Sequence, residues 1–362
     1  MQHYHYIQYL RGLACLLVIF HHAQSFVPQW TDEHSVFLYS FEYLREWGKI
    51  GVDIFFIISG FIITKVLLKT KYTYPSTLEF IKKRFIRVVP LYWFYTGITI
   101  MFAIEFTPIL SIPFNTNQLF HSFSFLPEII EYRYQLPILP VGWTLSIEII
   151  FYLSAGITAY LCKKHWIIGL TIILISFHCF HHFSWLSLKS TISSHYLIEF
   201  IIGVWIAKVE PQLIVKRQWV VLTAVFSAIL LFTCILIKFS ILLIGLQMLT
   251  ATLLVFSAVF AAHLSEKNSI GNENHKCHRF FSILGDSSYT AYLSHPILLG
   301  GLNATIIPIV YSWFPYPNLL VLFLTIISVF AGIVAYKLIE QPLLVFLKRT
   351  LFGPIKIPNT NP

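Results

Sequence analysis

Residues 50–69 read IGVDIFFIISGFIITKVLLK, and Asp53 is the single charged residue in this stretch before Lys65. An apolar run of about twenty residues is what a helix needs to cross the hydrocarbon core of a bilayer. The whole chain has the same character, because its 362 residues are 57% hydrophobic and 11% charged, whereas soluble domains carry about 25% charged residues. A soluble core cannot bury this much apolar surface, so the sequence predicts an integral membrane protein.

Further apolar runs on both sides of this stretch predict an all-α, polytopic bundle of about ten transmembrane helices. We place the ten helices near residues 9–27, 50–69, 88–106, 141–161, 166–184, 195–209, 219–237, 240–262, 283–306 and 318–340. His295-Pro296 interrupts the ninth segment, so a kinked or re-entrant segment is expected there. Residues 1–350 are expected to form one transmembrane domain, and the Pro-rich residues 351–362 a disordered tail.

The basic residues predict the orientation of the bundle. With the N-terminus in the cytoplasm, most of the 25 Lys and Arg residues fall in cytoplasmic segments, as the positive-inside rule requires. Both termini are then cytoplasmic. The net charge of +9 is divided into short clusters between apolar runs, a distribution that argues against nucleic-acid binding.

The first helix carries the sharpest pair of candidate functional residues, Arg11 and His22. Eleven residues are close to three helical turns, so the two side chains face the same way about 16 Å apart along the axis. A cation at the cytoplasmic mouth and a titratable base at depth predict a polar channel. The alternative is an arginine that anchors lipid phosphates and a histidine that a neighbouring helix satisfies. His21 points about 100° away from His22, and we expect it to be the packing residue of the doublet.

Two carboxylates within apolar segments are candidate catalytic residues, since ionisable groups in membrane spans are costly and usually functional. Asp53 needs a partner near the outer end of its helix, and a histidine of the first helix could be that partner; the alternative is an exposed carboxylate at a helix N-terminus. Glu148 is the second carboxylate. Gly60 is expected to permit a close approach between helices.

A basic segment at residues 82–87, KKRFIR, is predicted to end at Pro90. Arg84 and Arg87 share a helix face, and two guanidinium groups beside Lys83 suit a polyanionic ligand such as coenzyme A. The alternative is an ordinary cluster of cytoplasmic charges that binds anionic lipid head groups.

Candidate substrate contacts lie toward the opposite side of the membrane. The predicted outer loops 28–49 and 107–140 combine aromatic side chains with carboxylates such as Glu33, a composition that suits sugar binding; the alternative is an aromatic belt. We add Trp143, Tyr292 and His295 as weaker candidates. The histidine-rich segments 178–182 and 275–278 have no second half at metal-binding spacing, so no metal site is expected.

Taken together and in this order, the motifs of the chain resemble those of the acyltransferase-3 family of membrane proteins. The motifs that carry the resemblance are Leu10-Arg11-Gly12 with His22, the Gly51-to-Phe61 segment, Arg84-x-x-Arg87 with Pro90-Leu91-Tyr92-Trp93, Trp143-Thr144-Leu145 with Glu148, Glu199-Phe200 with Gly203, Tyr292-Leu293 with His295-Pro296, and Glu340-Gln341-Pro342.

This resemblance implies a ten-helix enzyme in a bacterial inner membrane that takes an acyl group, usually acetyl, from cytoplasmic acetyl-coenzyme A. It implies a glycan acceptor beyond the membrane, His22 as catalytic centre with Arg11 nearby, and Arg84 and Arg87 at the donor. Many relatives have Asp where this chain has Gln8. The hydrolase-like domain fused to some relatives is absent, so we expect the chain to complete transfer itself or to pass the acyl group to a partner protein.

The rival functions are a proton-coupled transporter, with His22, Asp53, Glu148 and His295 as a relay, and a non-catalytic member of a polysaccharide assembly complex. Within the enzymatic interpretation, His22 acts either as a general base or as a transient acyl carrier.

Overall fold

A computed structural model gives the fold, and the statements below concern the residues that it describes. These are residues 4–25, 48–105, 116–126, 128–130, 133–183, 195–212, 217–236, 240–268, 275–307, 309–310 and 316–353.

Helices make up almost all of this part of the chain. In chain order they are α1 His5–Ser25, α2 Ile50–Leu67, α3 Tyr74–Glu105, α4 Thr116–Ser124, α5 Trp143–Cys162, α6 Trp166–Phe183, α7 His195–Val209, α8 Arg217–Leu236, α9 Ser240–Asn268, α10 His275–Asp286, α11 Ser288–Thr305, α12 Pro317–Ala335 and α13 Gln341–Phe352. Short 3₁₀ turns cover Pro140–Gly142, Lys163–His165 and Glu210–Gln212, and a π-helical turn, Tyr336–Glu340, joins α12 to α13.

Each predicted membrane segment overlaps one of these helices, except that segment 283–306 covers the end of α10 and all of α11. Helix α3 begins 14 residues before the predicted segment 88–106. Within the described residues, five stretches are long and apolar enough to cross a membrane by length and composition: Ile50–Leu67, Tyr74–Ile104, Pro140–Phe180, Leu243–Leu264 and Asn318–Phe352. The helical bundle is therefore confirmed, while ten crossings with cytoplasmic termini stay a prediction.

One small element departs from the all-α class. Strands β1, Glu128–Ile130, and β2, Arg133–Gln135, pair antiparallel with Glu128 opposite Gln135. The hairpin lies within the predicted outer loop 107–140. A strand of three residues is too short to show the alternation of apolar and polar side chains by which strands are recognised in a sequence.

Two prolines lie inside helices where the sequence predicted an end or an interruption. Pro90 lies inside α3, and Pro296 lies inside α11. A proline removes one main-chain hydrogen bond, but neighbouring packing keeps both helices continuous. The basic segment 82–87 is consequently the first part of the same helix that crosses the apolar region.

Close contact through glycine fixes how α2 lies against its neighbours. A Cβ atom at Gly51 would lie 2.3 Å from the Ala14 carbonyl oxygen of α1. Between α2 and α7, a Cβ at Gly60 would lie 2.3 Å from the Phe200 carbonyl oxygen, and one at Gly203 would lie 2.0 Å from that of Ile57. The predicted role of Gly60 in close helix approach is thereby confirmed.

Helix α1 lies inside the bundle, where it contacts α2, α9, α10, α11 and α12. Its apolar residues Ala14, Val18, Ile19 and Ala23 are buried. Because these neighbours surround α1, its polar side chains face other helices, and the candidate site is built around them.

Candidate active site

The side chain of His22 faces a second histidine from the neighbouring helix α11. His295 Nε2 lies 3.1 Å from His22 Nδ1, and the two ring centroids are 5.0 Å apart. His295 is completely buried. His22 therefore points into the protein, as a catalytic role requires, and its ring also lies beside that of His21, with centroids 5.1 Å apart.

The hydrogen bonds of the pair indicate which nitrogens carry protons. His295 Nδ1 lies 3.2 Å from the Ala291 carbonyl oxygen. Carbonyl oxygens only accept, so His295 Nδ1 carries the proton and neutral His295 accepts at Nε2. The proton on His22 Nδ1 is then shared between His295 Nε2 and the Val18 carbonyl oxygen, which lies 3.1 Å away. In neutral His22, the unprotonated nitrogen is therefore Nε2.

Arg11 is held near the opposite end of α1 by two side-chain hydrogen bonds. Its Nη1 donates to Gln8 Oε1 at 2.9 Å, and its Nη2 donates to Ser288 Oγ at 3.0 Å. Ser288 in turn donates to the Gly285 carbonyl oxygen at 2.7 Å. Gln8 thus serves as a neutral acceptor for the guanidinium group.

The structure places Asp53 away from the partner expected for it. Asp53 is buried, with 5% of its surface exposed, which excludes the exposed N-terminal carboxylate. Its carboxyl group lies beside Glu199 and His195 of α7, whereas His295 occupies the position next to His22. The reason is the close α2–α7 contact at Gly60 and Gly203, which brings the outer turns of these two helices together.

Glu148 of α5 lies where three helices meet. Ser59 Oγ of α2 donates to Glu148 Oε1 at 3.0 Å, and the Tyr152 hydroxyl donates to the same oxygen in a short hydrogen bond. The charges of Arg84 and Arg11 also act on this region. Glu148 is therefore a hydrogen-bonded carboxylate that interacts electrostatically with guanidinium groups of α1 and α3.

Three guanidinium groups converge at this end of the bundle. Arg11 and Arg84 both interact electrostatically with Arg87. Negative charge for this basic region comes from Asp286, Glu340 and Glu148. Glu340 ends the π-helical turn and accepts a short hydrogen bond from Thr290 Oγ1. π-Helical turns are frequent at functional sites, and this one aims a carboxylate at the cluster.

Lys83, the third predicted donor contact, points elsewhere on α3. It forms a short ion pair with Glu79 on the exposed surface, and its Nζ lies 5.7 Å from the centre of the Phe352 ring in α13. The start of α3 and the end of α13 therefore lie side by side. An open cavity of about 470 Å³ along α13 is lined by Lys337, Gln341, Pro342, Val345, Phe346, Arg349 and Thr350.

The weaker substrate candidates occupy different positions. The Tyr292 hydroxyl lies 3.0 Å from Thr144 Oγ1 and 3.2 Å from the Val141 carbonyl oxygen, and its ring centroid is 5.9 Å from that of His295. Trp143 packs on Tyr196 with centroids 5.2 Å apart. Glu33 lies outside the described residues.

Sequence reasoning missed several side chains that hold the site. Gln8 and Ser288 bind Arg11, Ser59 and Tyr152 bind Glu148, and His195 joins Asp53. Hydroxyl and amide side chains are common in membrane helices, so their presence carried no signal. The four-residue spacing of His195 and Glu199 was a usable signal, because it places both on one helix face.

Comparison with known proteins gives a consistent result. Residues 4–337 match the sequence profile of the family described as Acyltransferase domain. The exopolysaccharide production protein ExoZ of Rhizobium meliloti is 28% identical over 326 residues, which cover 82% of this chain and 90% of ExoZ. The O-acetyltransferase OatA of Staphylococcus aureus is 29% identical over 153 residues, which cover 40% of this chain and 23% of OatA. No solved structure matches the chain.

Proposed function

Because the chain belongs to the acyltransferase-3 family and is a membrane O-acyltransferase, we propose that it moves an acetyl group from cytoplasmic acetyl-coenzyme A to a hydroxyl group of a cell-surface glycan. The family assignment favours acyl transfer over the transporter and scaffold alternatives. The acetyl donor and the glycan acceptor are the proposed parts. ExoZ takes part in exopolysaccharide production and OatA is an O-acetyltransferase, and these names support a glycan hydroxyl as acceptor.

The observation that carries the proposal is the hydrogen-bonded pair of His22 and His295. Donation from Nδ1 of His22 to His295 leaves Nε2 as the basic nitrogen. A general base must present an unprotonated nitrogen to the hydroxyl from which it takes a proton. In the proposed reaction, His22 Nε2 takes the acceptor proton, the hydroxyl oxygen bonds to the acetyl carbonyl carbon, and the carbon–sulfur bond breaks to release the coenzyme A thiolate.

The donor would approach from the end of the bundle where Arg11, Arg84 and Arg87 converge. Coenzyme A carries a diphosphate and a ribose phosphate, and arginine binds phosphate oxygens through paired, charge-assisted hydrogen bonds. Asp286, Glu340 and Glu148 keep this region from carrying a large net charge when no donor is bound. The cavity along α13, with Lys337 and Arg349, offers further cationic contacts beside the same segment.

The proposal is tested by comparing His22→Ala with His21→Ala in cells that lack the chromosomal gene. We expect His22→Ala to reduce base-releasable acetate on surface glycan by about 10²- to 10⁴-fold, the usual contribution of a general base. His21→Ala is the matched control, since its ring lies beside that of His22, whereas the ring that hydrogen-bonds to His22 Nδ1 is that of His295. Undiminished acetylation by a membrane-inserted His22→Ala protein would refute the proposed role.

The acyl-carrier route uses the same nitrogen and is separated by trapping. In that route Nε2 attacks the thioester, the carbon–sulfur bond breaks, and acetyl-His22 forms before the acceptor binds. Radiolabelled acetyl-coenzyme A added without acceptor should then label a peptide containing His22. A chain that stays unlabelled under conditions of full activity supports the general-base route.

A further inference from the structure

A second group of ionisable side chains lies between α2 and α7 and is not used by the proposed reaction. It consists of Asp53, His195 and Glu199, and one ligand atom from each lies within 4.8 Å of the other two. His195 and Glu199 are four residues apart on α7, so they share a face. Asp53 meets this face from the first turn of α2.

Glu199 has no donor to balance its charge. It is completely buried, and neither carboxylate oxygen has a hydrogen-bond donor among the described residues. Its polar neighbour is the Asp53 carboxyl group, and two carboxyl groups bond to each other only if one of them carries a proton. Two adjacent buried anions would repel strongly in a medium of low dielectric constant, so a positive charge or a proton has to be present.

The backbone holds these three side chains together whether or not anything binds them. Gly203 lies one helical turn beyond Glu199, and Gly60 lies seven residues, about two turns, beyond Asp53. At both glycines the main chains of α2 and α7 touch so closely that even a Cβ atom would not fit. The carboxylates cannot move apart without opening this contact, so their proximity is built into the fold.

We propose that Asp53, His195 and Glu199 bind one divalent transition-metal ion of the Zn²⁺ class. An imidazole nitrogen with two carboxylate oxygens is a mixed ligand set that such ions accept. Bonds of about 2.0–2.2 Å to zinc place ligand atoms roughly 3–4 Å apart, within the span that the cluster shows. The positive charge of the divalent ion balances the negative charges of the two carboxylates. Three protein ligands leave one coordination position of the ion for water or a hydroxyl group.

The ion would join α2 to α7 at the predicted outer side of the membrane. Tyr196 follows His195 directly and packs against Trp143, with ring centroids 5.2 Å apart. Asp53, Glu199 and Tyr292 all interact electrostatically with Tyr196. The metal site would therefore support the aromatic side chains that lead from α7 toward Tyr292 and His295.

The test measures metal binding by the full-length protein, purified in detergent through a tag without histidine. After treatment with a chelator and equilibration with Zn²⁺, we expect about one zinc ion per chain by elemental analysis. Co²⁺ in its place should give visible absorption bands of a low-symmetry site. Glu199→Gln and His195→Gln should each weaken Zn²⁺ binding at least about 10-fold, because losing even an outer-shell partner of a ligand costs about 10- to 100-fold in metal affinity.

Glu210→Gln is the matched control, because it also neutralises a buried carboxylate of the same region of the chain. Glu210 instead pairs with Lys65 and with His263, whose Nδ1 lies 3.3 Å away, and this variant should keep the zinc ion. All measurements are made on the monodisperse fraction from size-exclusion chromatography. His195 is only partly buried, so His195→Gln should fold and keeps the test possible if Glu199→Gln does not fold.

Two results would overturn the proposal. Wild-type protein that binds no Zn²⁺ or Co²⁺ would mean that a shared proton joins Asp53 to Glu199. Zinc retained equally by Glu199→Gln and His195→Gln would place the ion on other ligands of the chain.

Discussion

At the scale of single residues, the hydrogen-bonded imidazole rings of His22 and His295 form the proposed catalytic pair. His295 is held by a main-chain carbonyl of its own helix, and it presents an acceptor to His22. A buried carboxylate would fulfil the same orienting role with a negative charge. Here the orienting group is neutral, so no ion has to be buried next to the reacting centre.

Replacement of His295 tests whether this orientation matters. His295→Phe keeps a ring of similar size but removes the acceptor for His22 Nδ1. We expect kcat to fall about 10-fold, the effect of losing about 1.4 kcal/mol, with little change in KM for acetyl-coenzyme A. His295→Gln should recover part of the loss, because its carbonyl oxygen can accept from His22 Nδ1. A change confined to KM would instead make His295 a binding residue.

The arginine pair allows a second prediction at this scale. Arg84→Ala and Arg87→Ala should each raise KM for acetyl-coenzyme A about 10-fold or more, because each removes charge-assisted hydrogen bonds worth about 1.5–3 kcal/mol. Lys82→Ala is the control, since it changes an exposed charge of the same helix. If KM is unchanged and binding of anionic lipid vesicles is lost, the pair binds lipid head groups.

At the scale of helices, the contact between α2 and α7 positions both the carboxylate cluster and Ser59, which binds Glu148. Gly203→Ala should lower the melting temperature, because its Cβ would lie 2.0 Å from the Ile57 carbonyl oxygen. Gly245→Ala in α9 is the matched control, with no atom within 4 Å of the added Cβ. Alanine there should be neutral or stabilise by about 0.5–1 kcal/mol, as expected in a helix interior.

A melting temperature that is equal in the two glycine variants would contradict the close packing of α2 and α7. If Gly203→Ala keeps its activity but has a lower melting temperature, the α2–α7 contact stabilises the fold without affecting catalysis.

The helices could be predicted closely from the sequence because apolar runs in a membrane protein have few alternative structures. The partners of polar groups could not, as Asp53 shows. The neighbours of Asp53 depend on which helix packs against α2. Helix α7 packs there because its backbone approaches α2 closely at Gly203, and a glycine gives no sign in the sequence of which helix it contacts. For His22 the spacing to Arg11 predicted a side chain that points into the protein, but the partnership with His295 joins segments 273 residues apart.

At the scale of the whole molecule, the distribution of charge predicts ten crossings with both ends in the cytoplasm. A green fluorescent protein fused after residue 353 should fluoresce, and alkaline phosphatase at the same position should be inactive. The reverse pattern is expected for fusions after residue 188, in the predicted outer loop between α6 and α7. An active phosphatase after residue 353 would show that the number of crossings is odd or that the orientation is inverted.

The 32-residue helix α3 is longer than a membrane requires. At 1.5 Å per residue it extends about 48 Å, against roughly 30 Å of hydrocarbon, so its basic beginning stands in the aqueous phase or among the head groups. A nucleotide held there would keep its phosphates hydrated, and only the uncharged pantetheine arm would have to reach into the lipid-covered part of the protein. The charged phosphates of coenzyme A would then not have to enter the hydrocarbon region, so the cost of removing them from water would not arise. Cleavage of the thioester could supply the free energy for moving the acyl group across the membrane.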